Sequence, residues 1–274
     1  MTLEGRTILI TGSTDGVGRR VALHLAKAGA EVLVHGRDRA RGDGLVAEMR
    51  AAGNGKGRFY PADLSSLAEV RRLAKTVLDN HPRLHLLINN AGIGGGPARQ
   101  RRDASRDGHE LRFAVNYLAG FLLTRLLLDR LKASSPARIV NVASLGQHPL
   151  DFEDVMLTRG YDGARAYAQS KLAQIMFTLD LARELAGSDV TATSLHPATY
   201  MDTTMVRQAG VSPMSSVEEG AKAILNLAVS PATEGETGVF YNGLHPARAN
   251  AQAYDAAARE RLRALSRKLT GLDP

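Results

Sequence analysis

The chain has 274 residues, 44% of them hydrophobic, which is enough apolar content for one large α/β domain or two small ones. It contains no cysteine, which excludes disulfides and thiolate metal sites. The net charge is +7, but the arginines are dispersed, tryptophan is absent and aromatics are 5%, so stacking platforms for nucleic acid are lacking.

The charge reads instead as solvated helix faces and one basic loop, and its positive field favours an anionic cofactor. The first residues run into a short apolar stretch without a basic leader. The longest apolar stretch, Phe121 to Leu128, is interrupted by Thr124 and Arg125. The expectation is a soluble, cytoplasmic protein with no membrane partner.

Arg6 to Thr11 reads as a buried strand, followed by Gly12-Ser13-Thr14-Asp15-Gly16-Val17-Gly18 and a helix from Arg19 to Ala28. Strand, glycine turn and helix are the context in which such glycines bind a dinucleotide. Gly12 permits a tight turn, Gly16 close approach to a pyrophosphate and Gly18 close helix packing, with the phosphates on the helix N-terminus. Glu31 to His35 is the second strand, and Arg37 stands where an acid would mark NAD. An arginine there can pair with a 2′-phosphate, which favours NADP over NAD, and Ser13 adds a hydroxyl. Asp15 opposes this with a negative charge, and Arg37 also reads as an ordinary solvent-facing residue.

A helix from Ala40 to Ala52 stops at Gly53-Asn54-Gly55. Arg58 to Tyr60 is a third strand, leading to Asp63-Leu64 and a helix from Leu67 to Asp79 capped at Ser65-Ser66. Leu84 to Ile88 is a fourth strand, ending in Asn89-Asn90-Ala91-Gly92, whose amides can tie loops together. Ile93 to Gly108 reads as a mobile loop. His109 to Leu131 reads as one long, buried helix. Asn116 inside it either bonds the backbone for structural reasons or holds a water.

Arg138 to Val142 is the fifth strand, with Ser144 just beyond its carboxyl end, where open α/β sheets bind ligands. Leu145 to Gly163 is longer than packing needs. The helix from Ala164 to Ala186 carries Tyr167 and Lys171 four apart, on one face. A cation beside a phenol stabilises the phenolate and lowers its pKa, which suits a general acid/base. Val190 to Leu195 is the sixth strand and ends at His196-Pro197. Met201 to Ser216 reads as a lid, Val217 to Leu227 as a helix, Gly238 to Tyr241 as the seventh strand, and Ala247 to Lys268 as a C-terminal helix. Phe152, Met156, Met201 and Met205 point either to a lipophilic substrate or to core packing. No repeat or composition break divides the chain, so residues 1–274 read as one domain.

These motifs, in this order, resemble the single-domain branch of the short-chain dehydrogenase/reductase family. Arg37, Ser105 to Glu110 and Phe113 to Leu118 are reminiscent of its retinol-dehydrogenase-like NADP(H) reductases. The resemblance implies a Rossmann fold, an α/β doubly wound parallel sheet of seven strands. It implies Asp63 and Leu64 at the adenine, Asn90, Ala91 and Gly92 beside the cofactor, and Asn116, Ser144, Tyr167 and Lys171 as a catalytic tetrad. Tyr167 would exchange the proton, Lys171 would lower its pKa and hold the nicotinamide ribose, Ser144 would orient the substrate oxygen, and Asn116 would hold a relay water. Pro197 and the backbone near Thr199 would reach the carboxamide, although Ala198 stands for the family's glycine and Thr203 is one place late. A carbonyl or alcohol substrate, NADP (NAD possible) and a homodimer or homotetramer through the helices of Asn116 and Tyr167 are implied. The alternative from another class is a catalytically silent dinucleotide-binding regulator.

Overall fold

The computed structural model describes residues 2–52, 56–96 and 101–272. The stop signal at Gly53-Asn54-Gly55 and part of the Ile93 to Gly108 loop therefore lie outside the described residues. In order, the elements are β1 (Thr7–Ile10), α1 (Gly16–Lys27), β2 (Glu31–Gly36), α2 (Arg39–Ala51), β3 (Lys56–Pro61), α3 (Leu67–Asn80) and β4 (Leu86–Asn89). They continue with α4 (Ala119–Lys132), β5 (Ala137–Val142), α5 (Gly163–Glu184), β6 (Val190–His196), α6 (Thr204–Gln208), α7 (Val217–Val229), β7 (Phe240–Asn242), β8 (His245–Ala247) and α8 (Ala256–Thr270).

The strands form one sheet ordered β3-β2-β1-β4-β5-β6-β7-β8. Neighbours pair in parallel except β8, which turns back on β7. The sheet thus has eight strands, not the seven expected. The eighth is a three-residue hairpin return, His-Pro-Ala, too short to show a period and carrying a proline. β1 and β4 are buried along their whole length, as a parallel sheet covered on both faces requires. One core, with Leu45, Val21 and Ile224, lies under α1, α2 and α7. The other lies under α3, α4 and α5. Strand order reverses around β1 and β4, so the ligand crevice is expected outside their carboxyl ends.

Two helices differ from expectation. The run from His109 is not one continuous α-helix: after a helical start at Leu111 and Arg112, Phe113–Leu118 forms a π-turn that feeds α4. Five of its six residues are buried, so there is no one-sided apolar stripe whose shift periodicity could reveal, and such turns cluster at functional sites. The C-terminal helix starts at Ala256, not Ala247, because Pro246 and Ala247 are in β8 and Asp255 caps the amides of Ala257 and Ala258.

α8 packs across α5 and its neighbour. Tyr117 and Ser266 share a 2.6 Å hydrogen bond, Arg263 pairs with Asp180 at 2.7 Å, and Leu262 joins the core. Phe121 and Phe177 meet edge-on with centroids 5.1 Å apart, a pairing that adds about 0.5–1.5 kcal/mol beyond burial. These contacts fix the helix that carries Tyr167. Among the described residues no helix is long and apolar enough to cross a membrane.

Candidate active site

The cleft at the carboxyl ends of the strands has a nucleotide end and a reacting end. At the nucleotide end, Gly12 adopts φ +64°, and a Cβ there would come within 2.8 Å of the Ala91 Cα. A Cβ on Gly18 would collide with the Asn90 amide and come within 2.5 Å of the Gly12 carbonyl oxygen. The Asn90 side-chain amide donates to the carbonyls of Thr11 (2.9 Å) and Gly12 (3.0 Å). The backbone amides of Asn90 and Ala91 both donate to the Thr11 hydroxyl at 3.0 Å. The turn after β4 is thereby bolted to the turn after β1, as the small residues there require. Val17 points into the core. Asn89 ties β4 to Thr124 and Asn141, each at 2.9 Å.

Ser13 does something other than expected. It is fully buried, donates to the Ile10 carbonyl (2.9 Å) and accepts from the His35 amide (3.0 Å). Both bonds point into the fold, and they commit the hydroxyl to the Ile10 carbonyl and the His35 amide. Arg37 is exposed, with no hydrogen bond or ion pair among the described residues, and faces Asp63 closely enough to influence it. Burial works against the Asp63 carboxylate, yet the amide and hydroxyl of Ser65 and the charges of Arg37 and Arg106 hold its pKa below the usual value. Leu64 is buried in the core.

The segment expected to be mobile is tied down where it is described. Arg106 pairs with Asp63 (3.4 Å) and Glu69 (3.2 Å), and Asp107 accepts from the Leu67 amide at 2.8 Å. Asp15 accepts from the Gly16 amide (2.7 Å), Arg41 (3.3 Å) and the Thr204 hydroxyl (2.9 Å), which shares out its charge.

At the reacting end, the Ser144 and Tyr167 side chains flank Gly146: a Cβ there would lie 3.5 Å from Ser144 Oγ and 3.7 Å from Tyr167 Cε1. Ser144 Oγ accepts from the Gly146 amide at 3.0 Å. Lys171 is buried, with Nζ 5.7 Å from the centre of the Tyr167 ring. It donates to the Val142 carbonyl (2.8 Å) and Gln174 Oε1 (3.0 Å). Burial pulls the Lys171 pKa down to about 7. Burial also pushes the Tyr167 phenol above its ordinary value, the hydrogen bond with Ser144 pulls the other way, and Tyr200 adds a further push upward. The expected lowering of Tyr167 by its neighbour is therefore not what the structure shows. Desolvation acts on both groups, raising the neutral form of the phenol and weakening the cation meant to stabilise its anion.

Asn116 sits in the π-turn. Its Oδ1 accepts from the Ile93 amide (2.8 Å), and its Nδ2 donates to the Ile93 carbonyl (3.1 Å) and Ser170 Oγ (2.9 Å). These bonds tie the π-turn to the loop after β4 and to α5. Gly92 separates Asn116 from Lys171, since a Cβ on Gly92 would lie 3.3 Å from Asn116 Oδ1 and 3.4 Å from Lys171 Nζ.

Pro197 is buried directly after β6, and the Thr199 hydroxyl lies 3.1 Å from His196 Nε2 while its carbonyl accepts from Ser215 at 2.6 Å. Thr203 caps α6 and rests over the glycine turn, its Cγ2 3.3 Å from where a Gly16 Cβ would be. The Met201 to Ser216 segment thus lies against the nucleotide end. Of the four apolar residues considered for substrate, Phe152 and Met156 pack on one core and Met201 on the other, while Met205 is 38% exposed. The core reading holds for three of them.

Sequence reasoning missed a buried network at the start of α5. Tyr161 donates to Glu110 (3.0 Å) and accepts from Arg112 (2.7 Å), Arg112 donates to the Gly94 carbonyl (3.0 Å), and Glu110 accepts from the Phe113 amide (2.7 Å). It clasps the loop after β4, the π-turn and the long loop before α5. Its only sequence signal was Glu110 within the stretch Ser105 to Glu110. His35 was also missed: it is fully buried and bonded to the Gly12 amide.

Comparison with known proteins agrees with this geometry. Residues 6–212 match the family model described as short chain dehydrogenase. The chain is 35% identical to mouse Retinol dehydrogenase 13, covering 99% of this chain and 85% of that protein. It is 36% identical to human Retinol dehydrogenase 11, covering 98% and 87%. Among solved structures, an uncharacterized protein from Mycobacterium Paratuberculosis aligns with TM-score 0.81 at 31% identity, covering 98% of this chain and 95% of that one. The Pseudomonas aeruginosa RhlG/NADP complex aligns with TM-score 0.72 at 29% identity, covering 88% and 95%. With the family model matched over residues 6–212 and retinol dehydrogenases 35–36% identical along nearly the whole chain, the chain belongs to the short-chain dehydrogenase family of oxidoreductases.

Proposed function

We propose that this protein is an NADP(H)-dependent oxidoreductase that interconverts a carbonyl and a primary or secondary alcohol, with Tyr167 as general acid/base. The observation that carries it is the meeting of Ser144, Tyr167 and buried Lys171 around Gly146 and Gly92. A bound nicotinamide dinucleotide supplies or takes the hydride. The chain's residues fit it, because the cradle at Gly12 and Gly18 has no space for a Cβ. With its pKa raised, Tyr167 holds its proton at neutral pH and can donate it to a carbonyl oxygen that Ser144 orients. Lys171, with a pKa of about 7, can give and take a proton near neutrality. In the oxidative direction Tyr167 receives the alcohol proton instead.

The NADP preference rests on Arg37, exposed and without a bonded partner beside Asp63, and on the sharing of the Asp15 charge with Arg41. Retinol dehydrogenase relatives and the exposed Leu145, Tyr200 and Met205 favour a lipophilic alcohol or aldehyde. Pairing through the helices of Asn116 and Tyr167 must accommodate α8, which already covers part of α5.

The test is turnover of a carbonyl panel that includes retinaldehyde, followed by NADPH absorbance and repeated with NADH. NADPH-linked turnover that disappears in Tyr167→Phe, with NADPH binding retained, supports the reading. Tight NADPH binding with no NADPH oxidation by any carbonyl of the panel would leave the silent regulator.

A further inference from the structure

Two bonds of the same kind hold the two ends of β1. At its start the Thr7 amide donates to His85 Nδ1 at 3.0 Å, and just past its end the Gly12 amide donates to His35 Nδ1 at 3.0 Å. Only the second lies at the glycine turn. The other His35 nitrogen, Nε2, is 3.2 Å from the Ala62 carbonyl. A backbone N–H only donates and a carbonyl only accepts, so Nδ1 must be bare and Nε2 must carry the proton. The geometry thus specifies one neutral tautomer, and burial, which lowers the His35 pKa to about 4, agrees with it.

The imidazole joins two turns that are far apart in sequence. One is Gly12, the first glycine of the dinucleotide loop. The other is Ala62, next to Asp63. Strand β2 is stitched to the same turn by the Ser13 amide donating to the His35 carbonyl (2.9 Å) and the His35 amide donating to the Ser13 hydroxyl (3.0 Å). Asn90 holds the Thr11 carbonyl at 2.9 Å, so the Thr11–Gly12 peptide is fixed at its N–H by His35 and at its C=O by Asn90, which also holds the Gly12 carbonyl at 3.0 Å.

We propose that His35 is a positioning residue for the dinucleotide, presetting the Gly12 turn and the Asp63 turn as one rigid cradle. This rests on the reading of the glycine turn as the cofactor site. Without the imidazole the Gly12 amide loses its partner and is free to reorient, so the bound geometry must be ordered at the moment of binding, which weakens affinity.

The experiment is NADPH titration by fluorescence on four variants, with a thermal melt of each. His35→Phe keeps a planar ring, though a larger one, and loses both bonds, and should raise the NADPH Kd about tenfold, or about 1.4 kcal/mol. In His35→Asn the side-chain oxygen stands near the place of Nδ1 and can still accept from Gly12. It should stay within about threefold of wild type, whereas His35→Gln, which reaches only the place of Nε2, should resemble His35→Phe. His85→Phe removes the matching bond at the far end of β1, and should lower the melting temperature without changing Kd.

An unchanged Kd in His35→Phe, an equal loss in His85→Phe, or equal affinities for the Asn and Gln variants would each overturn the inference. If His35→Phe fails to fold, the Asn and Gln pair gives the same answer. Wild-type protein that binds neither NADPH nor NADH removes the cofactor reading, and this inference with it.

Discussion

The two ends of the cleft are built on opposite principles. The nucleotide end is made of backbone: Gly12, Gly18 and Ala91 press together, and the side chains that hold them, Asn90, Thr11 and His35, are neutral. The reacting end is made of buried ionisable side chains, Tyr167 and Lys171, whose proton affinities desolvation has moved toward the neutral forms. A phosphate-bearing cofactor needs a fixed shape, which close backbone packing supplies. A proton-transfer step needs groups whose charge can change, and burial is what makes that change sensitive to a neighbour.

This contrast predicts that damage at the two ends separates into chemistry and binding. The largest effect belongs to Tyr167→Phe, expected to lower turnover ~10²–10⁴-fold while NADPH titration stays near wild type. Comparable losses of binding and rate would break the contrast.

Next is acid sensitivity at the nucleotide end. Burial lowers His35 from 6.5 to about 4, with the Ala62 carbonyl and the Asp63 charge pulling back upward. Between those values the unfolded chain carries the proton and the folded one does not. Stability should therefore fall as pH drops through 6.5 toward about 4, by on the order of 3 kcal/mol for this residue, and stop falling from this cause below that. His81, His85 and His196 are lowered in the same sense and add to the slope. Urea denaturation at neutral pH and near pH 4.5 measures it, and a smaller slope in His35→Phe assigns the share.

Arg37→Ala comes third. Loss of a charge-assisted pair with a 2′-phosphate should weaken NADPH ~10- to 100-fold and leave NADH nearly untouched. An equal loss for both cofactors would move the specificity elsewhere. Gly18→Ala should cost about 1–3 kcal/mol of stability by overpacking against Asn90 and the Gly12 carbonyl, read as a melting temperature lower by several degrees. The smallest effect is at the seam between lid and glycine turn. Thr204→Val removes the 2.9 Å bond to Asp15 and should raise the KM for NADPH about threefold, since one exposed bond is worth on the order of 0.5–1 kcal/mol.

Much of this was legible in the chain. Parallel strands buried on both faces read as short apolar runs, and the glycine turn, Ser144 and the Tyr167/Lys171 spacing are local patterns that declare themselves. The misses have physical reasons. Strand β8 is three residues long and includes Pro246, so it has no period to detect. The π-turn at Asn116 lies in a segment buried nearly all round, so its shift of register leaves no mark in the apolar pattern. Ser13 reads as a phosphate ligand because it stands in the glycine turn, but its direction depends on where β2 lies.

By itself the sequence determined the order of strands and helices, the glycine cradle and the identity of the groups able to move a proton, because these depend on residues close together along the chain. Only the tertiary structure decided which way Ser13 and His35 face, that burial and not Lys171 governs Tyr167, and that Glu110, Arg112 and Tyr161 lock three segments together. Those outcomes depend on how much water each group keeps and on which distant backbone reaches it. Both quantities arise only when the layers close.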